Sequence, residues 1–227
     1  MGDSYLRRFL RSTLGLKVLM GVTGLILFGF LIGHVSGNLL AFAGQSPSGR
    51  FKLDDYAVWL REHPGLLWGT RVTLLICVAV HIVTTIRLAK LRGDARPIPY
   101  EAKEPHGTTY AARTMFWTGP IVALFVVYHL LHFTWGTVHP DFKHLEVQHN
   151  VVRGFQSPLA ISIYVVGMLA ILLHLAHGIW SVTQTLGVNR PNLEPGLKRV
   201  AVLISVLIVG GFLSVPFGVL SGLIRWS

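Results

Sequence analysis

The sequence predicts an all-α integral membrane protein, a bundle of five transmembrane helices. Two observations lead there. Hydrophobic residues make up 52% of the 227 positions against 13% charged, and the apolar residues fall in five runs, about 17–43, 66–90, 114–138, 158–186 and 197–224. Each run meets the ~20 residues a helix needs to cross a hydrocarbon core ~30 Å thick. The runs take up most of the chain, so residues 1–227 are read as one membrane domain with no room for a separate soluble one.

Charge supplies the orientation. With the N-terminus in the cytoplasm, the N-terminal arm and the loops joining spans two to three and four to five share that side, and they hold 13 of the 20 Lys and Arg. That asymmetry follows the positive-inside rule. The net charge of +10 is therefore read as topology in a lipid bilayer, and a nucleic-acid partner is not expected. The expected location is the inner (cytoplasmic) membrane, multi-pass, with the N-terminus cytoplasmic. The single cysteine, Cys77, can form no intrachain disulfide and cannot hold an iron–sulfur cluster, which takes about four thiolates. The first span is too long, and preceded by too much chain, for a cleaved signal peptide.

Along the chain, Asp3–Thr13 interleaves Tyr5, Leu6, Phe9 and Leu10 with three arginines, a pattern for a short helix on the cytoplasmic surface or for a frayed end. The first span carries Gly29, Gly33 and Gly37 every fourth residue. Such a face permits close helix packing, or packing combined with a flat macrocycle. In the loop that follows, Tyr56, Trp59, Leu60 and His63 fall at helical spacing and suggest an interfacial helix. The second span contains His81 and ends in basic residues. The loop Gly93–Ala112, rich in Pro and charge, reads as a docking surface or connector, with His106 solvated.

The third span has Pro120 near its start and carries His129 and His132. The next loop holds His139, His144 and His149 at intervals of five, which does not stack them on one helix face, so a surface metal site is a weak reading. The fourth span carries His174 and His177. The fifth has no His and closes the bundle. No GxGxxG after a strand, P-loop or HExxH occurs, so nucleotide or flavin chemistry would sit on another chain.

An ionisable ring at membrane depth is costly unless it faces the protein interior with a partner. His34 lies 17 residues after Lys17 and His129 15 after Thr114; both spans enter from the cytoplasm. At ~1.5 Å per residue these rings rise ~22–26 Å, into the outer half of the core. His81 lies 15 residues after Leu66 and His174 16 after Pro158, in spans that enter from outside, so these rings lie in the cytoplasmic half. The four sort into an outer pair, His34/His129, and an inner pair, His81/His174. Facing neutral imidazoles are axial ligands for six-coordinate haem iron, and two pairs imply two b haems ~15–20 Å apart along the membrane normal. His132 and His177, one turn from His129 and His174, are equally eligible on spacing alone; they could instead contact a haem edge, a propionate or backbone.

The stretches GHVSGNLLAF, AVHIVTTIRL, FVVYHLLHFTWG and HLAHGIWSVTQTLG resemble the cytochrome b subunit of succinate:quinone oxidoreductases and fumarate reductases, in the form with one five-helix anchor and two b haems. The resemblance covers almost the whole chain and is most specific in the last stretch. Its motif is His, two residues, a small or polar residue, Gly, an apolar residue, Trp and Ser, which makes His174 the ligand there. In the third span the match falls on His129, 11 residues after Thr118. The resemblance implies the same pairing as the depth count. It also implies an iron–sulfur subunit and a flavoprotein subunit on the cytoplasmic side, the latter oxidising succinate or reducing fumarate. This respiratory-chain anchor would exchange electrons with membrane quinone, with no succinate site and no catalytic residue of its own.

For the quinone, an outer-facing site would use groups near the outer haem and the first outer loop, such as Glu62 and His63; an inner site near the iron–sulfur subunit is the other reading, and no residue pattern decides between them. Arg87 and Ser36 are candidates for the haem propionates, and Gly33 and Gly37 for contact with the macrocycle. Two other readings stand beside this one. The first is a dihaem cytochrome b serving a hydrogenase or formate dehydrogenase. The second is a haem-free scaffold or proton-coupled transporter; its proton-relay form is weakened by the absence of Asp and Glu from all five runs.

Overall fold

A computed structural model describes residues 5–95, 110–188 and 190–226, and these residues contain helices and turns but no strand. In chain order the helices are α1 (Tyr5–Arg11), α2 (Thr13–Asn38), α3 (Lys52–Glu62), α4 (Pro64–Asp94), α5 (Tyr110–His129), α6 (Val147–Gly154), α7 (Pro158–Thr185) and α8 (Glu194–Leu220). A 3₁₀ turn, Leu39–Phe42, extends α2, and a π turn, Leu130–Thr134, extends α5. Five segments are long and apolar enough to cross a membrane: Thr13–Phe42, Pro64–Asp94, Arg113–Thr134, Pro158–Thr185 and Glu194–Leu220. Arg96, Lys103 and His106, and with them most of the expected docking loop, lie outside the described residues.

Local chemistry sets the starts of these helices. Ser12 Oγ accepts from the Gly15 N–H at 3.0 Å and caps α2. Pro64, Pro158 and Pro195 occupy first-turn positions of α4, α7 and α8, where a missing N–H costs nothing. The third span ends at Thr134 and not at Val138 as expected. Gly136, at φ 72°, turns the chain there, and a Cβ on it would come within 2.3 Å of the Phe142 ring. The fifth span runs Glu194–Leu220 and not 197–224, because Pro195 suits an earlier start and Gly222, at φ 72°, ends it. Helix α5 begins at Tyr110, so Pro120 sits in its interior and not near its start.

The outward faces are apolar: Leu75 is 72% exposed, Phe116 77% and Leu207 66%. Exposed apolar surface on that scale, on helices of spanning length, is the build of a multi-pass membrane protein with lipid as its solvent. The close helix neighbours are α7 with α8, α2 with α4, and α5 with α7. At the α5–α7 crossing a Cβ on Gly167 would lie 2.3 Å from the Phe125 ring, and at the α2–α8 crossing one on Gly211 would lie 2.7 Å from Val35. Small residues thus bring these helices together.

One end of the bundle is capped by α3, α6 and the C-terminal residues; the other carries α1 and the α7–α8 turn. The sequence reading had placed α3 but not α6, a short helix whose apolar pattern is too brief to register. Gln148 on α6 ties the cap together: its side-chain amide donates to the carbonyls of Arg225 at 2.8 Å and Ala41 at 3.2 Å, and its backbone N–H donates to Asp54 Oδ1 at 2.8 Å. Burial raises the Asp54 carboxyl above the ordinary carboxylate value; the backbone N–H groups of Gln148 and Val147 oppose that shift, while Glu146 and Asp55 add to it.

Candidate functional site

The four histidines that counting had placed at two depths stand as two pairs of neighbouring rings. His34 on α2 and His129 at the end of α5 have ring centroids 5.7 Å apart with planes at 79°, toward the capped end. His81 on α4 and His174 on α7 have centroids 6.1 Å apart with planes at 56°, nearer the α1 end. Within each pair the carrying helices are not close-packed neighbours among the described residues: α2 packs against α4, and α5 against α7, whereas the rings meet from α2 to α5 and from α4 to α7. Side chains therefore bridge helices that backbone packing leaves apart.

Hydrogen bonds orient two of these rings. The Thr23 hydroxyl donates to the Leu19 carbonyl at 2.8 Å, so its oxygen is free to accept. His81 Nδ1 lies 3.2 Å from that oxygen; the tautomer that donates from Nδ1 to it leaves the Nε2 lone pair available. His129 Nδ1 lies 3.0 Å from the Tyr164 hydroxyl, which is also 3.3 Å from His132 Nδ1. Phe30 stacks on His34 at 5.2 Å, and Phe212 stands 5.6 Å from it. On α7, three buried polar atoms have no hydrogen-bond partner among the described residues: His174 Nδ1, His177 Nδ1 and Trp180 Nε1. They span less than two turns beside the inner pair.

These features fit bis-imidazole ligation of a metal. Each pair sets two imidazoles close enough that they could hold one metal ion between them. The donor set is two neutral-capable imidazoles per site, one oriented through Thr23 and another placed beside Tyr164, and unpartnered donors near the inner pair would suit carboxylate groups. The glycine face shows only part of the expected packing. Cβ atoms on Gly29 and Gly33 would meet nothing within 4 Å, whereas one on Gly37 would lie 2.9 Å from the Tyr56 ring. Gly24, to which no role had been given, faces His81: a Cβ there would stand 3.5 Å from Cε1.

The remaining expected residues divide. Arg87 is exposed near the α1 end of α4. Ser36 is exposed and donates back to the Ile32 carbonyl at 2.8 Å. Glu62 and His63 end α3 in exposed positions; His63 Nδ1 is 2.8 Å from the Trp59 carbonyl, and its ring lies 4.5 Å from the Trp59 ring. Neither lines the cavity of about 370 Å³ at the capped end, whose walls include Tyr128, His132, Thr137, His139 and Ser157. Sequence reading missed that cavity, since its walls come from α5, the following turn and α7. His132, its most buried wall at 1% exposure, had been singled out, but for a different role.

The loop histidines form no cluster. His139 Nε2 donates to the Asn150 carbonyl at 2.8 Å while Nδ1 accepts from the Asp141 N–H at 3.0 Å. His149 Nε2 bonds Asp141 Oδ2 at 3.0 Å, and His144 is exposed. No group of three or more His, Cys, Asp or Glu able to hold a metal ion occurs among the described residues. Among known proteins, no family model, no curated protein and no solved structure matches the chain.

Proposed function

We propose that this chain is the dihaem cytochrome b subunit of a succinate dehydrogenase or fumarate reductase complex, anchoring it in the membrane and carrying electrons between its iron–sulfur subunit and quinone. The observation that supports this most is the pair of facing imidazole couples, at 5.7 and 6.1 Å, each bridging helices that do not otherwise pack closely. A single intramembrane His is satisfied by one hydrogen bond to a neighbouring helix; two such couples at two depths ask for a shared ligand.

His34 with His129, and His81 with His174, would hold the two haems, which supply one-electron transfer at iron when bound. The Thr23 hydroxyl, 3.2 Å from His81 Nδ1, would hold that ring with Nε2 as its ligating atom. His177 and Trp180 are the donors on α7 placed to serve carboxylate groups beside the inner pair. The aromatic wall around the outer pair, from Phe30, Phe125 and Phe212, excludes water from it. For quinone, the cavity beside His132 supplies what Glu62 and His63 do not, namely a concave site within the range of small-ligand pockets with polar groups in its wall. The preference for a succinate or fumarate complex over a hydrogenase or formate dehydrogenase rests on the resemblance of HLAHGIWS and of the third span.

Haem content of the purified chain tests the reading. The expected result is about two b haems per chain by pyridine haemochromogen assay, as the two histidine pairs require. His81→Ala and His174→Ala should each remove one haem, and His34→Ala and His129→Ala the other. Both haems kept in His174→Ala and one lost in His177→Ala would move the α7 ligand. No haem after expression with ample supply would end the electron-transfer reading. A flavoprotein and an iron–sulfur protein co-purifying with the chain would support the succinate or fumarate complex; a hydrogenase would replace it.

A further inference from the structure

At the end of the bundle away from the cap, a groove of about 490 Å³ runs between α1, α2 and α4. Its floor is largely apolar, with Leu10, Leu16, Leu19 and Val83 among its residues, and two arginines from different helices, Arg7 and Arg87, also line it. Neither guanidinium has a carboxylate partner among the described residues. Of the carboxylates described, only Asp94 and Glu194 belong to this end, and Glu194 is bonded to Lys198 at 2.6 Å. The wall formed by α1 is held in register by a tight turn. Ser12 Oγ donates to the Phe9 carbonyl at 2.6 Å, and a Cβ on Gly15 would run into that carbonyl at 1.9 Å. Only glycine lets α1 lie this close to the start of α2.

We infer that this groove binds one anionic phospholipid, its phosphate between Arg7 and Arg87 and an acyl chain along the leucine and valine floor. The two halves of the groove ask for two chemistries in one molecule. A guanidinium matches phosphate oxygens in forked geometry, whereas a free anion would find no use for the apolar floor. A neutral lipid would fill the floor and leave both charges unmatched. Basic pockets between membrane helices at one leaflet take anionic headgroups on these grounds. The inference needs only the membrane-spanning build and is independent of haem.

The test uses the full chain in detergent, equilibrated with mixed micelles containing labelled dioleoylphosphatidylglycerol or dioleoylphosphatidylcholine, and counts the lipid retained after gel filtration. Two arginines near a headgroup correspond to a preference of about 30-fold for phosphatidylglycerol. Arg7→Gln/Arg87→Gln should bring retention down to the phosphatidylcholine level, and Arg7→Lys/Arg87→Lys should keep a clear preference. The control Arg50→Gln/Arg61→Gln, whose arginines are exposed around α3 at the other end, should match the parent chain. Val83→Trp, which fills the floor at a position already 49% exposed, should also reduce retention while leaving both charges in place. Undiminished retention in either the glutamine variant or Val83→Trp, with the helical circular dichroism signal intact, overturns the proposal. So does displacement of the lipid by an equal concentration of inorganic phosphate, which would reduce the site to an anion-binding patch.

Discussion

Thr23 and His81 meet across the α2–α4 interface with Oγ1 and Nδ1 3.2 Å apart, and the threonine hydroxyl also reaches the Leu19 and Met20 carbonyls. Thr23→Val keeps the shape and removes the hydroxyl, leaving the partly buried Nδ1 without its side-chain partner. Loss of such an orienting bond typically lowers metal affinity about 10–100-fold. If the chain holds the two proposed haems, Thr23→Val should selectively lose the inner one and Thr23→Ser should retain it, read from haem content and reduced-minus-oxidised spectra. Equal haem content in the valine and serine variants would show that the bond does not orient the ligand.

Tyr164 stands between His129 and His132, at 3.0 and 3.3 Å. Its hydroxyl has one hydrogen, so it donates to one imidazole and accepts from the other. Tyr164→Phe leaves both Nδ1 atoms unpartnered by it, at a cost of about 1–3 kcal/mol for each buried group left unsatisfied. Thermal unfolding in detergent should show the loss, and the outer haem should be the one whose retention falls.

Gly167 lets α7 approach the Phe125 ring of α5, where a Cβ would lie at 2.3 Å. Gly167→Ala should destabilise by about 1–3 kcal/mol through overpacking. Phe125→Leu should recover part of that loss by making room. Gly119→Ala, where an added Cβ meets nothing within 4 Å, is the neutral reference in the same unfolding assay.

Asp54 is held above the ordinary carboxylate value, mainly by burial. A carboxyl with a raised folded pKa binds its proton more tightly when folded, so its unfavourable contribution is present at neutral pH and is relieved as pH falls through the folded value. Asp54→Asn keeps an oxygen to accept the Gln148 N–H and removes the charge. Relative to the asparagine variant, the parent chain should gain stability as pH falls from 7 toward the ordinary carboxylate range. A parallel pair of melting-temperature profiles over that window would contradict this.

How much of this was legible in the sequence depended on how local the cause was. The spans could be read because hydropathy and helix length are properties of a contiguous stretch, and ring depth could be counted because a helix rises a fixed distance per residue. That is why counting along the sequence alone matches His34 with His129, and His81 with His174. The ends of the spans were less legible. Gly136 and Gly222 stop helices through a backbone turn that apolar pattern does not record, and α6 is too short to show a period.

What only the tertiary structure decided is lateral. Helix rotation and neighbour choice determine that Thr23, not Ser36, bonds a paired histidine, that Tyr164 sits between two imidazoles, and that Arg7 shares a groove with Arg87. They also separate Glu62 and His63 from the cavity walled by His132. Depth follows from counting along one helix, whereas the partner at that depth belongs to another, and its identity is set by side-chain packing between segments distant in the chain.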